Sequence, residues 1–365
     1  MDVTRGLGAY PAVVEWLKSG GIPGWLAEIL YRVGAGLLIM ILIATLALVL
    51  VYALRKVMGH MQCRLGPRVT GPFGLLQTTA DALKLIQKED IIPAQADRPL
   101  FILAPYLVFF SCGMIFMVLP LSPTWILNDL DVGVLFFIAF GSLASFGILM
   151  AGWASNSKYS LVGGMRSVAQ VVSYEVPMVL ALLGSVMLAG TLSMEQIVRA
   201  QGGLWLGFIP RWFIFLQPLG FIIYFLCGLA ETGQTPFDLP EGESELVAGY
   251  NTEYSGMRFA LFFLAEFANI FAISAMATAL FLGGWHGPVF SFLPWLWPFV
   301  WFVVKALFLT FCILWVRSTW LRFRIDQMMD FAWKILVPLA LLNIFISAGE
   351  VAIIRSGIIA RLIGG

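Results

Sequence analysis

The stretch LLIMILIATLALVLV, residues 37–51, decides the fold of this chain, because none of its side chains is charged. It lies within an apolar segment of about residues 27–54, which exceeds the roughly 20 residues needed to cross the hydrocarbon core of a bilayer. Lipid offers no hydrogen-bond partner to a free backbone N–H group, so such a segment crosses as a helix. The stretch therefore predicts a membrane-spanning helix.

The composition extends this prediction to the whole chain. Of the 365 residues, 60% are hydrophobic and 12% are charged, whereas soluble proteins have roughly 45–50% and 25%. So few charges cannot cover a soluble surface, which excludes a soluble globular enzyme, a disordered chain and a nucleic-acid binder with a basic face. The net charge of +1 also predicts no polyanionic partner.

Eight apolar segments are long enough to cross the membrane. We therefore predict an all-α, polytopic helical membrane protein that forms a single membrane domain over residues 1–365. The predicted spans are residues 27–54, 100–121, 132–153, 161–189, 213–229, 259–282, 300–316 and 335–354.

The distribution of Lys and Arg predicts the orientation. The connections after the first, third, fifth and seventh spans hold fourteen of these residues, and the opposite side holds six. Because basic residues accumulate on the cytoplasmic side, we expect the long loops 55–98 and 231–258 in the cytoplasm and both termini outside. Within the first loop, residues 72–88 place apolar side chains three to four apart, which predicts an amphipathic helix at the membrane interface.

The cysteines and histidines predict no metal or redox cofactor on this chain. Four cysteines are scattered singly, without the spacing of a zinc or iron–sulfur site. Two histidines are too few for a haem-bearing bundle that needs paired ligands.

Three carboxylates are predicted to carry chemistry inside or beside the membrane. Glu175 and Glu266 fall within predicted spans, and Glu231 ends the fifth span. Ionisable groups at such depth are costly and often functional. The alternatives are a structural carboxylate paired with Arg166 or a tyrosine, an interhelical hydrogen bond, and a carboxylate that reaches the surface. If their helices adjoin, the three acids form a proton relay, but spacing alone does not settle this.

The loop after Glu231 is the most acidic part of the sequence. It holds Asp238, Glu241, Glu243 and Glu245 among proline, phenylalanine and leucine residues. The sequence has no calcium-loop pattern here, and a solvated acidic loop is the simpler alternative. The mixture of apolar and turn residues favours a defined structure that docks a partner protein or lines a polar chamber.

Three stretches together resemble the membrane component of respiratory complex I that is called the H subunit, or subunit 1 in mitochondria. The resemblance runs from about residue 54 to residue 334, and the third stretch is the most specific. The stretches are RLGPRVTGPFGLLQ at 64–77, AQVVSYEVP at 169–177, and AETGQTPFDLPEGESELV at 230–247 followed by EYS at 253–255.

The resemblance implies a subunit of a proton-pumping NADH–quinone oxidoreductase that forms the quinone chamber with peripheral-arm subunits. It implies further partners in small membrane subunits and antiporter-like subunits, ubiquinone or menaquinone as substrate, and FMN and iron–sulfur clusters only in partner subunits. By motif match, the implied proton relay consists of Glu175, Glu231, Glu266 and Asp81. The implied chamber and entrance residues are Arg55, Arg64, Arg317, Phe237, Asp238, Glu241, Glu243 and Glu245.

Two other functions remain open at this point. One is the homologous membrane subunit of an energy-converting hydrogenase or of a dehydrogenase with another donor. The second is a stand-alone proton-coupled transporter, which the lack of an internal sequence repeat disfavours. The hydropathy is the same for a prokaryotic cell membrane and for an organelle inner membrane.

Overall fold

The computed structural model describes residues 14–15, 18–19, 21, 23–123, 126, 128–205, 209–240, 242–289 and 293–355. The predicted outer location of the termini concerns segments that lie mostly outside these ranges. Glu241 also lies outside them.

The described residues form an all-α membrane fold, which confirms the predicted fold class. Seven helical segments are long and apolar enough to cross a membrane, and a shorter apolar helix accompanies them. The long helices are α1 (Gly24–Met61), α3 (Arg98–Val118), α4 (Gly133–Ala154), α5 (Lys158–Ala189), α10 (Gly256–Phe281), α11 (Trp297–Thr319) and α13 (Val337–Arg355). The short ones are α2 (Gln77–Gln87), α6 (Met194–Ala200), α7 (Phe213–Leu216), α8 (Pro218–Glu231), α9 (Glu243–Leu246) and α12 (Ile325–Asp330).

The described residues also form two 3₁₀ turns, a π-helix and two short strands, and one of the 3₁₀ turns is Gly249–Asn251. The 3₁₀ turn Pro72–Gly74 precedes α2, so the predicted amphipathic segment forms in two pieces. The π-helix Phe331–Leu336 joins α12 to α13. The strands β1 (Leu204–Trp205) and β2 (Ile209–Pro210) pair antiparallel between α6 and α7.

The fifth predicted span is two helices rather than one. Helix α7 ends before Gln217, whose φ of −124° is not helical, and α8 begins at Pro218. The cause is local, since proline lacks a backbone N–H and disfavours the helical conformation of the residue before it. Pro177 does not break its helix. Helix α5 is continuous from Lys158 to Ala189, with Pro177 inside it.

The connections between helices meet at two opposite ends of the bundle. At one end, Arg258 Nε lies 3.1 Å from Asp90 Oδ2, and the backbone N–H of Phe323 donates to Pro236 O at 3.0 Å. These contacts join the loops that follow the first, fifth and seventh predicted spans. The third-span connection reaches the same end, where Asp97 N–H donates to the backbone oxygen of Ala154.

The remaining connections gather at the other end. Ser193 Oγ donates to Asp129 Oδ1 at 3.2 Å, and His286 Nε2 donates to the backbone oxygen of Val198 at 2.9 Å. Alternate connections therefore lie at opposite ends, as eight crossings require. The broken pair α7–α8 makes one of these crossings.

Helix α10 lies deepest among these spanning helices. In its most apolar stretch 67% of the residues are buried, against 33% in α1. Helix α5 packs against α4, α8 and α13. Any polar group on α10 or on the inner face of α5 is therefore held inside the bundle.

Candidate functional site

A small polar cavity lies where α4, α5, α8 and α10 meet. Its volume is about 70 Å³, which is enough for water. Both Glu231 and Glu266 line it, and Asp238 from the loop after α8 lies in its wall. The other polar residues in its lining are Ser145, Ser167, Gln170, Thr232, Tyr250 and Asn269.

Glu266 lies in this wall as part of a three-residue network. Its Oε1 accepts a hydrogen bond from Gln234 Nε2 at 2.8 Å and lies 3.5 Å from Arg317 Nη1. The same Arg317 nitrogen donates to Gln234 Oε1. The loop after α8 thus bridges α10 and α11, and the arginine compensates a carboxylate that is mostly withdrawn from solvent.

Glu231 approaches α4 at a glycine. A Cβ atom added to Gly141 would lie 2.9 Å from Glu231 Oε1, closer than such atoms approach. The other carboxylate oxygen, Oε2, is buried and has no hydrogen-bond partner among the residues that the structure describes. Glu231 therefore presents an unpaired acceptor within the polar cavity.

Glu175 lies next to this cavity but outside its lining. The hydroxyl of Ser142 donates to Glu175 Oε1. Ser142 directly follows Gly141, so adjacent residues of α4 contact Glu175 and Glu231. The helices that carry the three predicted relay acids adjoin, and the partner of Glu175 is a serine rather than Arg166 or a tyrosine.

Gln170 holds the loop that carries these groups. Its Nε2 donates to the backbone oxygens of Ala230 at 2.6 Å and Phe237 at 2.7 Å. The Phe237 ring is fully buried, with its centroid 5.2 Å from that of Tyr174 and 5.6 Å from that of Phe323. Phe237 is an anchor of the loop inside the bundle.

A second, larger cavity lies between α1, α2 and α10. Its volume is about 300 Å³, and most of its wall is apolar. The Arg55–Asp81 ion pair, with Nη1 and Oδ2 2.6 Å apart, lies in its wall. The apolar side chains of the wall are Ala47, Leu48, Val51, Ala82, Leu85, Ile86, Met257, Phe259, Ala260, Phe263 and Leu264.

Helix α10 is the common wall of the two cavities. Phe259, Ala260, Phe263 and Leu264 face the apolar cavity, whereas Glu266, with Phe262 and Asn269, faces the polar one. At 3.6 residues per turn, the centres of these two faces are about 120° apart. The width of α10 therefore separates the apolar cavity from the carboxylate of Glu266.

The structure places Asp81 and Arg317 in two separate ion pairs. Asp81 pairs with Arg55 in the wall of the apolar cavity and does not lie with the three acids. Arg317 joins Glu266 and does not line the apolar cavity. The ion pairs decide both positions, since each charge lies beside its opposite.

The remaining loop residues lie towards the surface. Glu245 accepts a hydrogen bond from Arg166 Nη1 at 2.6 Å and lies 3.7 Å from Arg322 Nη2. The hydrogen bond from Arg166, followed by the charge of Arg322, lowers the pKa of the Glu245 carboxyl. Glu243 begins α9. Arg64 is exposed, and its Nε donates to Gln62.

Sequence reasoning missed four residues that shape the site. Gln170 and Gln234 lie within the quoted motifs, and their amides could have been singled out there. Gly141 and Ser142 gave no signal, because small residues are ordinary in membrane helices. Within the described ranges, no group of three or more His, Cys, Asp or Glu residues is arranged to hold a metal ion.

Comparison with known proteins places the chain in a family. The profile of the NADH dehydrogenase family matches residues 35–348. The H subunit of NADH-quinone oxidoreductase from Geobacillus kaustophilus is 49% identical over 335 residues, which cover 92% of this chain and 97% of that protein. The H subunit from Dehalococcoides mccartyi is 50% identical over 317 residues, covering 87% and 86% of the two chains. The chain therefore belongs to the NADH dehydrogenase family, as its motifs indicate.

Proposed function

We propose that this chain is the membrane subunit of a proton-translocating NADH–quinone oxidoreductase. In this role it forms the quinone chamber together with peripheral-arm subunits and couples quinone reduction to proton movement. The observation that carries the proposal is the pair of cavities that share α10, one apolar and one acidic. Similarity to the two bacterial H subunits over most of the chain supports this role over that of a hydrogenase subunit or a stand-alone transporter.

The apolar cavity suits the passage of a quinone. A quinone has an apolar tail and a polar head, so its path needs an apolar wall with a few polar groups. Phe259, Phe263 and Leu264 supply the wall, and Arg55 with Asp81 supplies the polar groups. Since α1 and α2 form the outer sides, the quinone enters between them from the bilayer.

The acidic cavity suits proton transfer. Glu231 has an unpaired oxygen, Glu266 is held by Arg317 and Gln234, and Glu175 is linked to them through α4. Reduction of a quinone draws in two protons and changes the charge of its head group. Such a change acts on buried carboxylates across a single helix with little screening. We infer that Glu231, Glu266 and Glu175 pass protons in response.

The chain works with other subunits in this proposal. FMN and the iron–sulfur clusters belong to partner subunits, and no cofactor is bound by this chain. The acidic loop after α8, with Asp238, Glu241, Glu243 and Glu245, faces the peripheral arm. The protein lies in a cell inner membrane or an organelle inner membrane, with loops 55–98 and 231–258 on the side from which protons are taken.

The test is Glu175→Gln in the intact complex. Glutamine keeps an acceptor oxygen for Ser142 Oγ, so the variant should assemble normally. Because it cannot carry a proton, NADH-driven quinone reduction and proton pumping should fall by roughly a hundredfold. NADH oxidation by ferricyanide, a water-soluble electron acceptor that bypasses quinone, should remain at the wild-type level.

The matched control is Glu195→Gln. Glu195 lies on α6, at the opposite end of the bundle from the acidic cavity, and should be replaceable without loss of quinone reduction. Full quinone reduction with full pumping in Glu175→Gln would refute the relay. Purification of the wild-type chain without iron–sulfur subunits would refute its place in the complex.

A further inference from the structure

The break between α7 and α8 lies in a buried polar cluster that is separate from both cavities. Gln217, Asn343 and Ser347 are 1%, 1% and 0% exposed, in a region of otherwise apolar helices. Ser185 of α5 is 0% exposed as well. The cluster lies at the start of α8, about 20 Å along that helix from Glu231 at its end.

Part of the cluster is bonded internally. Gln217 Nε2 donates to Ser347 Oγ at 2.6 Å, and Ser347 Oγ lies 2.7 Å from the backbone oxygen of Asn343, to which it donates. These bonds join the break to α13. They also fix the orientation of the Gln217 amide, whose oxygen points away from Ser347.

Two polar atoms of the cluster, Gln217 Oε1 and Asn343 Nδ2, have no hydrogen-bond partner among the described residues. Buried polar atoms in native proteins are almost always paired with protein or with ordered water. Here the amide oxygen needs a donor and the amide nitrogen needs an acceptor.

Two glycines allow these polar groups to lie close to the backbones of α5 and α8. A Cβ atom at Gly220 would lie 3.0 Å from Asn343 Nδ2 and 3.4 Å from Gln217 Oε1. A Cβ atom at Gly184 would lie 2.6 Å from Gln217 Oε1 and 2.8 Å from Ser347 Oγ. The unpaired donor and the unpaired acceptor therefore lie on the same side of α8, next to each other beside Gly220.

The unpaired donor of Asn343 and the unpaired acceptor of Gln217 determine which kind of ligand can bind between them. A metal cation would be repelled by the N–H group of Asn343, and an anion would be repelled by the oxygen of Gln217. Water both donates and accepts, so one molecule satisfies both atoms.

A polar face of α13 leads from the cluster to the end of the bundle. Asn343, Ser347 and Glu350 are spaced four and then three residues apart, which places them on one side of the helix. Glu350 Oε2 is buried and unpaired within the described part of the chain. Its carboxyl is the next polar group after Ser347 towards the end opposite the acidic cavity.

We propose that Gln217, Asn343 and Ser347 form a buried water-binding site, and that water reaches it along the face of α13 that ends at Glu350. The site keeps the break before α8 hydrated. It opens to the side of the bundle away from the acidic cavity, and its existence does not depend on the function proposed above.

A map of the intact complex at a resolution that resolves ordered water tests the site directly. We expect density within hydrogen-bond distance of both Gln217 Oε1 and Asn343 Nδ2. A direct bond between these two atoms, or an empty space between them, would overturn the proposal.

Hydrogen–deuterium exchange tests the route by which water arrives. In Asn343→Leu, the backbone amides of residues 216, 217, 219 and 220 should exchange several-fold more slowly than in the wild type, because the site is closed to water. Glu350→Leu should slow the same amides. The control Leu342→Ala changes a lipid-facing neighbour on α13 and should leave the exchange unchanged.

Each variant can contradict the proposal. Unchanged exchange in Asn343→Leu would show that the break is dry already. Slower exchange in Asn343→Leu but not in Glu350→Leu would refute the route along α13. The hydrogen bond from Ser347 Oγ goes to the backbone oxygen of residue 343, which Asn343→Leu keeps, so the variant should assemble.

Discussion

At the scale of single residues, Arg317 shows how partners decide a role. Its guanidinium lies with Glu266 and Gln234, and the place near the quinone entrance that the motif resemblance implies stays a prediction. Two mostly buried charges can coexist there only because each compensates the other. The guanidinium of Arg317 is thus the charge that compensates the Glu266 carboxylate inside the bundle.

We predict that Arg317→Met destabilises the protein by about 3 kcal/mol, because it leaves Glu266 buried without its cation. The double variant Arg317→Met with Glu266→Gln should recover most of this loss, since no uncompensated charge remains. Thermal unfolding of the purified complexes measures both. Equal destabilisation in the single and double variants would contradict the pairing.

Gly141 sets the position of Glu231. Gly141→Ala adds a methyl group 2.9 Å from Glu231 Oε1, so the carboxylate must turn away while the helix stays intact. We predict normal assembly and a reduced ratio of protons pumped to electrons transferred, which proton uptake measured alongside NADH oxidation reports.

The control for this variant is Gly36→Ala on α1. No atom lies within 4 Å of the Cβ position there, so the same methyl group meets nothing. A loss of coupling in both variants would point to a general effect on the bundle, and the specific role of Gly141 would fall.

At the scale of elements, the two prolines mark the limit of what the sequence predicts. Pro177 lies inside the continuous helix α5, whereas Pro218 begins α8 after a break. Both prolines lie among apolar residues, so the sequence did not distinguish them. The prediction of one continuous helix at 213–229 was wrong, because this segment forms the two helices α7 and α8. The buried amide of Gln217, which packs against α13, stabilises the break by a contact that no local pattern contains.

The acidic loop after α8 is a second element whose contacts depend on pH. The hydrogen bond from Arg166 lowers the pKa of Glu245, so the contact is fully present above the ordinary glutamate value of about 4.3. It is lost as the pH falls through the lowered pKa. We predict that residues 242–248 become sensitive to protease only in that acidic range.

The variant Glu245→Gln removes the titrating group. Its protease sensitivity at residues 242–248 should be raised at neutral pH and should no longer change with acidification. A wild-type loop that opens between pH 7 and 5 would contradict the assignment, because Glu245 stays ionised throughout that range.

At the scale of the whole molecule, α10 and α11 are tied at both ends. Lys305 Nζ donates to the backbone oxygens of Leu282, Gly284 and His286 at 2.7–3.0 Å, just after α10 ends. Twelve residues further along α11, Arg317 binds Glu266. The pair therefore moves as one body unless one of these ties opens.

We predict that Lys305→Met lowers the free energy of unfolding by about 1–3 kcal/mol, because three carbonyls lose their donor. Lys334→Met is the control, since Lys334 makes an exposed pair with Asp330 and should contribute about 0.5 kcal/mol or less. Thermal unfolding of the two variants, compared with the wild type, measures the difference. Similar midpoints for both would argue against the tie.

The sequence predicted the class of the fold and the three central acids, because hydropathy and charge depth are local properties. It did not predict which cavity each charge faces. Packing among α1, α2, α10 and α11 brings Arg55 to Asp81 and Arg317 to Glu266, which are distant in the sequence. The structure gives the geometry of the site. The roles of Glu175, Glu231 and Glu266 in proton transfer stay predictions.

The single helix that separates the two cavities has a pharmacological consequence. An inhibitor that fills the apolar space contacts Phe259, Phe263 and Leu264, on the same helix as Glu266. A substitution that enlarges this space and gives drug resistance would also loosen the backbone that carries the acid. Resistance at these positions should therefore come with a loss of energetic efficiency, whereas resistance at Ala82 or Leu85 on α2 should not.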